Sequence, residues 1–108
     1  MPTAHDVARH ILSQRAMTAM KMQKLAYYSQ AWHLAREGSP LFVEPVEAWV
    51  NGPVVRDLYE THRGQFSLSS WPLGKTDALT SAQRELMRDF YAAAERHGRS
   101  PAVVTAAG

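Results

Sequence analysis

Met22-Gln23-Lys24-Leu25-Ala26-Tyr27-Tyr28-Ser29-Gln30-Ala31-Trp32-His33-Leu34-Ala35 is the stretch whose reading decides the fold. Met22, Leu25, Ala26, Ser29, Trp32 and Ala35 recur at steps of three and four, which lays one stripe along a helix. Thr18 stands where a side-chain oxygen can cap the free N–H groups of a first turn, and Gly38 where a left-handed residue can end the last one. The expectation is one long helix between them, facing a core along that stripe.

Toward the amino terminus, Ala4, Val7, Ala8, Ile11 and Leu12 predict a first helix from Thr3 to about Arg15, with Thr3 and Asp6 as a capping box. On the other side, Pro40, Pro45 and Pro53 exclude a long helix between Gly38 and Pro53. Val46, Ala48 and Val50 alternate with Glu47, Trp49 and Asn51, the period of a short strand at 46–50. Pro53 suits the first turn of a helix, so Val54, Val55, Leu58, Tyr59 and His62 predict a short third helix ending at Gly64. Residues 65–79 combine Ser67, Ser69, Ser70, Pro72 and Gly74 with Phe66, Leu68, Trp71 and Leu73, which reads as a packed loop with a second short strand. Thr80 and Gln83 form a capping box before a helix that carries Leu86, Met87, Phe90, Tyr91 and Ala94 and that Gly98 can terminate. Ser100-Pro101 can open one more short turn. The fold class is therefore mainly α, a compact helical domain of four to five helices with a small β-hairpin-like insert, and 108 residues suit one domain over 1–108.

Trp32, Trp49 and Trp71 lie on three different segments and are expected to fasten insert and loop to the helices, with Trp32 and Trp49 in the core. In particular, Glu47, Trp49 and the Asn51-Gly52-Pro53 turn are expected to fix the insert against the long helix, with Trp49 as its buried anchor.

Chemistry of the usual kinds finds little support. The absence of cysteine excludes a disulfide framework and a thiolate nucleophile. His5, His10, His33, His62 and His97 show no zinc-enzyme spacing, and His33 reads as a hydrogen-bonded structural residue. No serine sits in a nucleophile elbow, and Gly74-Lys75-Thr76 has only the tail of a phosphate loop. Glu44, Glu47, Asp57 and Glu60 read as solvated charges or ion-pair partners. No enzyme activity, metal or cofactor is expected. A formal charge of +2, with basic residues dispersed among acids, gives nucleic-acid binding no support. No apolar run reaches the roughly 18–20 residues of a membrane span, and Met1 to Asp6 lacks a signal-peptide pattern, so the cytoplasm is the expected address.

What is left is binding to another protein. On the third helix, spacing of three and four sets Arg56, Tyr59, Glu60 and Arg63 along one face, while Val55, Leu58 and His62 turn toward the core. Arg and Tyr are favoured at protein-binding hot spots, which makes that face the candidate partner surface.

A family resemblance rests on four motifs in order: Lys24, Leu25, Tyr27, Tyr28, Gln30, Trp32 and Leu34 on the long helix; Pro40-Leu41-Phe42; Val46-Glu47-Ala48-Trp49; and Gly52-Pro53-Val54-Val55. In type and spacing these resemble the Panacea (SocA-like) antitoxin domain. The resemblance covers about 18–98, with 99–108 reading as a divergent or truncated tail. It implies an antitoxin of a type II-like toxin-antitoxin system, bacterial or phage-borne, which neutralises a cognate protein toxin by direct binding. Some relatives act as adapters that hand the toxin to a protease complex. The alternative it implies is a phage-associated or regulatory interaction scaffold without a toxin partner.

Overall fold

The computed structural model describes residues 1–75 and 77–96, with α-helix side chains described as far as Ala92. In chain order the elements are α1 (Ala4–Gln14), β1 (Met17–Thr18), α2 (Ala19–Glu37), β2 (Val46–Trp49), β3 (Gly52–Val55), α3 (Arg56–His62), β4 (Ser67–Leu68) and α4 (Ser81–Arg96). Among the described residues, four helices with two small antiparallel ribbons make the architecture mainly α with a small β insert. The expected further turn at Ser100-Pro101 and the stop at Gly98 lie outside the described residues.

The helix ends follow the capping chemistry read from the sequence. Asp6 N–H donates to Thr3 Oγ1 (3.2 Å) and Thr3 N–H to Asp6 Oδ2 (2.7 Å), closing the box on α1. Thr18 Oγ1 accepts from Lys21 N–H (3.1 Å), and Gly38 (φ 75°) ends α2 with its N–H on Leu34 O. Thr80 and Gln83 exchange the same reciprocal pair at the start of α4 (2.9 and 3.1 Å).

The core gathers Val7, Ile11, Met22, Ala26, Leu41, Phe42, Val55, Leu58, Leu68, Trp71 and Met87 from all four helices and the segments between them. The face that α2 turns inward is not quite the expected one. Ala19, Met22, Gln23, Leu25, Ala26, Ser29 and His33 are buried, whereas Trp32 is half-buried and Ala35 exposed. The stripe drifts because the last turns of α2 are covered by the 39–42 segment, which offers polar backbone. His33 Nδ1 lies 2.7 Å from Ser39 O and is buried, in keeping with the structural role expected of it. Burying Ser29 and His33 there costs little because their hydrogen bonds are made, whereas Trp32 Nε1–H is buried without a partner among the described residues.

The insert also departs from expectation in two ways. Pro53 is not in a helical first turn but in β3, paired with Ala48 in the register Val46↔Val55, Glu47↔Val54, Ala48↔Pro53 and Trp49↔Gly52. Each strand of a two-stranded ribbon is an edge, where a proline's missing donor is tolerated, so the ribbon takes up Val54 and Val55 and α3 begins only at Arg56. Val50 and Asn51 form the turn, with Gly52 at φ +117° supplying the backbone conformation that side chains disfavour. Further, the alternation at 46–50 does not bury Ala48 or Val50, both of which are exposed.

The 65–79 loop does contain the second strand, β4, which pairs with a two-residue β1 that the sequence did not suggest (Met17↔Leu68, Thr18↔Ser67). Leu68, Trp71 and Leu79 are buried, but Phe66 and Leu73 are exposed. Trp71 Nε1–H donates to His5 Nδ1 (3.1 Å), Arg9 Nη1 to Trp71 O (3.0 Å) and Lys75 N–H to Asp6 Oδ1 (2.7 Å), so the loop docks on the first turns of α1. At Gly74 (φ +84°) a Cβ would stand 2.6 Å from His5 O, so only glycine fits.

Candidate partner-binding groove

Two glutamines seven residues apart on α2 hold the extended segments of the insert. Gln23, buried, accepts from Val55 N–H at Oε1 (2.9 Å) and donates from Nε2 to Val55 O (3.2 Å). Gln30 accepts from Leu41 N–H (2.6 Å) and Phe42 N–H (3.2 Å) and donates to Phe42 O (2.7 Å). A primary amide has a donor and an acceptor side by side, as a strand edge has, so each glutamine replaces a missing ladder partner. This, rather than Trp49, is what fixes the insert to α2.

Gln23 Nε2 also lies 3.0 Å from His62 Nε2. The amide nitrogen can only donate, so the ring nitrogen must accept and is unprotonated. Burial acts in the same direction and holds the His62 pKa below its ordinary 6.5. His10 is lowered as well, by burial and then by Arg84. In the window below 6.5 the unfolded chain therefore binds protons that the native state refuses. The contribution of these rings is complete above 6.5 and falls as pH drops toward the native values. Thermal midpoints measured from pH 8 to pH 5 are expected to decline below pH 6.5, and a flat profile would contradict the buried neutral state.

Trp49 is half-buried, not a core anchor, because its ring is the exposed wall of the ribbon. Glu47 accepts from Trp49 Nε1–H (2.8 Å) and from Arg56 Nε (3.0 Å), and these two bonds keep its carboxyl below the ordinary range. The Arg56 guanidinium lies 5.5 Å from the Trp49 ring centroid and reaches Glu60 at 3.7 Å. Tyr59 meets Trp49 edge-on at 4.8 Å and His62 at 5.5 Å. Of the face expected to bind a partner, Arg56, Tyr59 and Glu60 are thus drawn together around Trp49 and Glu47. Arg63 stands apart, exposed at the carboxyl end of α3. Val55, Leu58 and His62 are buried behind them.

Beside this cluster lies an open groove of about 670 Å³ between the first turns of α2, the β2–β3 ribbon, α3 and residues 65–66. Its rim exposes apolar side chains: Val50 and Phe66 project almost entirely into solvent (101% and 81%) and Met20 by half (55%). Lys24, Ala48, Trp49, Pro53 and Val54, all members of the recognised motifs, line it together with Tyr59. The remaining motif residues do other work. Tyr28 and Trp32 pack on Phe90 of α4 at 6.5 and 5.2 Å, Tyr27 meets Tyr28 at 4.8 Å, Leu25 and Val55 are core, and Gln30 holds residues 41–42. Sequence reasoning missed Gln23, whose signal was a polar residue next to Met22 and three before Ala26, both fully buried. It also missed Met20, Val50 and Phe66, which look like core residues until the neighbouring segments are placed.

Among the described residues no helix is long and apolar enough to cross a membrane, and no group of three or more His, Asp or Glu side chains could hold a metal ion.

Residues 22–93 match the family described as antitoxin SocA-like, Panacea domain, a span that begins inside α2 and takes in the insert, α3 and most of α4. No curated protein and no solved structure matches the chain. The match covers two thirds of the sequence and includes the motif residues at the groove and those that hold the insert in place, and by it the chain belongs to the SocA-like Panacea antitoxin-domain family.

Proposed function

We propose that the chain is a cytoplasmic antitoxin without catalytic activity, which neutralises a protein toxin encoded beside it by holding that toxin in a stable complex. The observation that carries this reading is the groove, an open apolar concavity to which five family-motif residues contribute. Exposed apolar surface rimmed by polar groups is costly in a free monomer and is typical of a protein-binding site. Tyr59 is the member of the α3 face that enters the contact directly. Arg56 and Glu60 act by bracing Trp49 as the groove wall, and Arg63 is peripheral.

Co-expression with the product of the adjacent gene tests the proposal. Rescue of growth and co-purification are expected for the wild type, and loss of both for Val50→Asp combined with Phe66→Asp. Since both side chains are exposed, the thermal midpoint should stay within about 4 °C, as each surface substitution shifts stability by only about 0.5 kcal/mol. Intact rescue by the doubly substituted protein would move the binding site elsewhere.

A further inference from the structure

The charge distribution around the groove says more about what fills it. Among the described residues, Lys24 is the one side chain in its lining that carries charge at neutral pH, given the neutral His62, and no carboxylate of those residues lines it. Lys24 is exposed and makes no ion pair among the described residues, in contrast to Arg56, which is tied to Glu47 and Glu60. The adjoining first turn of α2 has no acidic residue and carries Lys21. A cation there opposes the helix dipole and gives up the stabilisation that an acid would contribute. The concavity is thus apolar in its walls and positive at one end.

We infer that the groove takes an apolar peptide segment of the partner protein bearing an aspartate or glutamate beside its apolar residues, with that carboxylate paired to Lys24. The inference rests on the reading of the groove as the partner surface and adds the chemistry of the occupant. Apolar side chains of the segment cover Met20, Val50, Trp49 and Phe66, and the carboxylate is drawn to the α2 end. A single ammonium in the lining, with Lys21 the next cation along the helix, does not match the regular phosphate rows of nucleic acid or of a lipid surface, which are met by arrays of basic residues. It does match a single acidic residue, and it fixes the direction in which the segment lies.

A library of random twelve-residue peptides displayed on phage, selected against the full chain, provides the test. Binders are expected to combine apolar residues with at least one Asp or Glu. Fluorescence titration of a selected peptide should show about tenfold weaker binding to Lys24→Glu, near wild-type binding to Lys24→Arg, and weakening with added salt. Selection against Lys24→Glu should exchange the acidic residue for Lys or Arg. Peptides that bind without an acid, or that bind Lys24→Glu as well as wild type, overturn the inference, as does a library that returns no binder. Val50→Asp separates the two levels. Peptides lost with Val50→Asp but indifferent to Lys24→Glu leave the groove as a peptide site and remove its charge specificity. Peptides indifferent to both place the binding outside the groove and sink the underlying reading too.

Discussion

Gln23→Leu is expected to lower stability by about 2–4 kcal/mol, because leucine fills the space but leaves Val55 N–H, Val55 O and His62 Nε2 without the partner that one amide supplies to all three. At roughly 4 °C per kcal/mol for a domain of this size, the thermal midpoint should fall by about 8–16 °C. The site is buried, so water cannot easily take over. Gln23→Glu gives a sharper result. The carboxylate can still accept from Val55 N–H, but opposite His62 it calls for a donor, so Nε2 must carry a proton, and the negative charge beside the ring favours the imidazolium over the neutral Nε2–H tautomer. His62 should then titrate above 6.5 rather than below it, which a proton NMR titration of the ring reads directly. A Gln23→Leu protein that melts within 2 °C of wild type would show that the amide is not what holds β3 to α2.

Phe42→Ala is expected to be still more damaging, about 3–5 kcal/mol, the usual cost of removing a fully buried phenylalanine and leaving a cavity. Phe42 is 0% exposed although it belongs to no helix or strand, and its backbone is held on both sides by Gln30. The neighbouring Val43 is 70% exposed and supplies the control: Val43→Ala should change stability by about 0.5 kcal/mol or less. Denaturant unfolding of the two variants decides the matter, and equal midpoints would place Phe42 outside the core.

Local signals made the helices legible. Thr3 with Asp6, Thr18 with Gly38, and Thr80 with Gln83 act within four residues of chain or at a single left-handed position, and each appears in the structure as the sequence indicated. The mainly α class, the short strand at 46–49 and the SocA-like Panacea family were likewise readable, the last because its motifs lie at fixed spacings along the chain. Which apolar residues are buried was not, since periodicity finds a helical face but not what covers it. Trp32 and Trp49 looked like the core tryptophans, and Trp71 is the buried one. Pro53 fits a helical first turn and an edge strand equally well by its own φ, and only pairing with Ala48 chose between them.

The candidate site shows the same division. The sequence by itself determined the helix caps, the motifs and the α3 face with Arg56, Tyr59 and Glu60, all set by short-range chemistry and 3.6-residue spacing, whereas Arg63, expected on that face, falls past the end of the helix. The tertiary structure alone decided that Gln23 spans 32 residues to Val55, that Glu47 draws Arg56 onto Trp49, and that Met20, Val50 and Phe66 converge on one groove. A hydrogen bond or an apolar contact between distant segments depends on where the whole chain brings its backbone, and that position is fixed only when the core has packed.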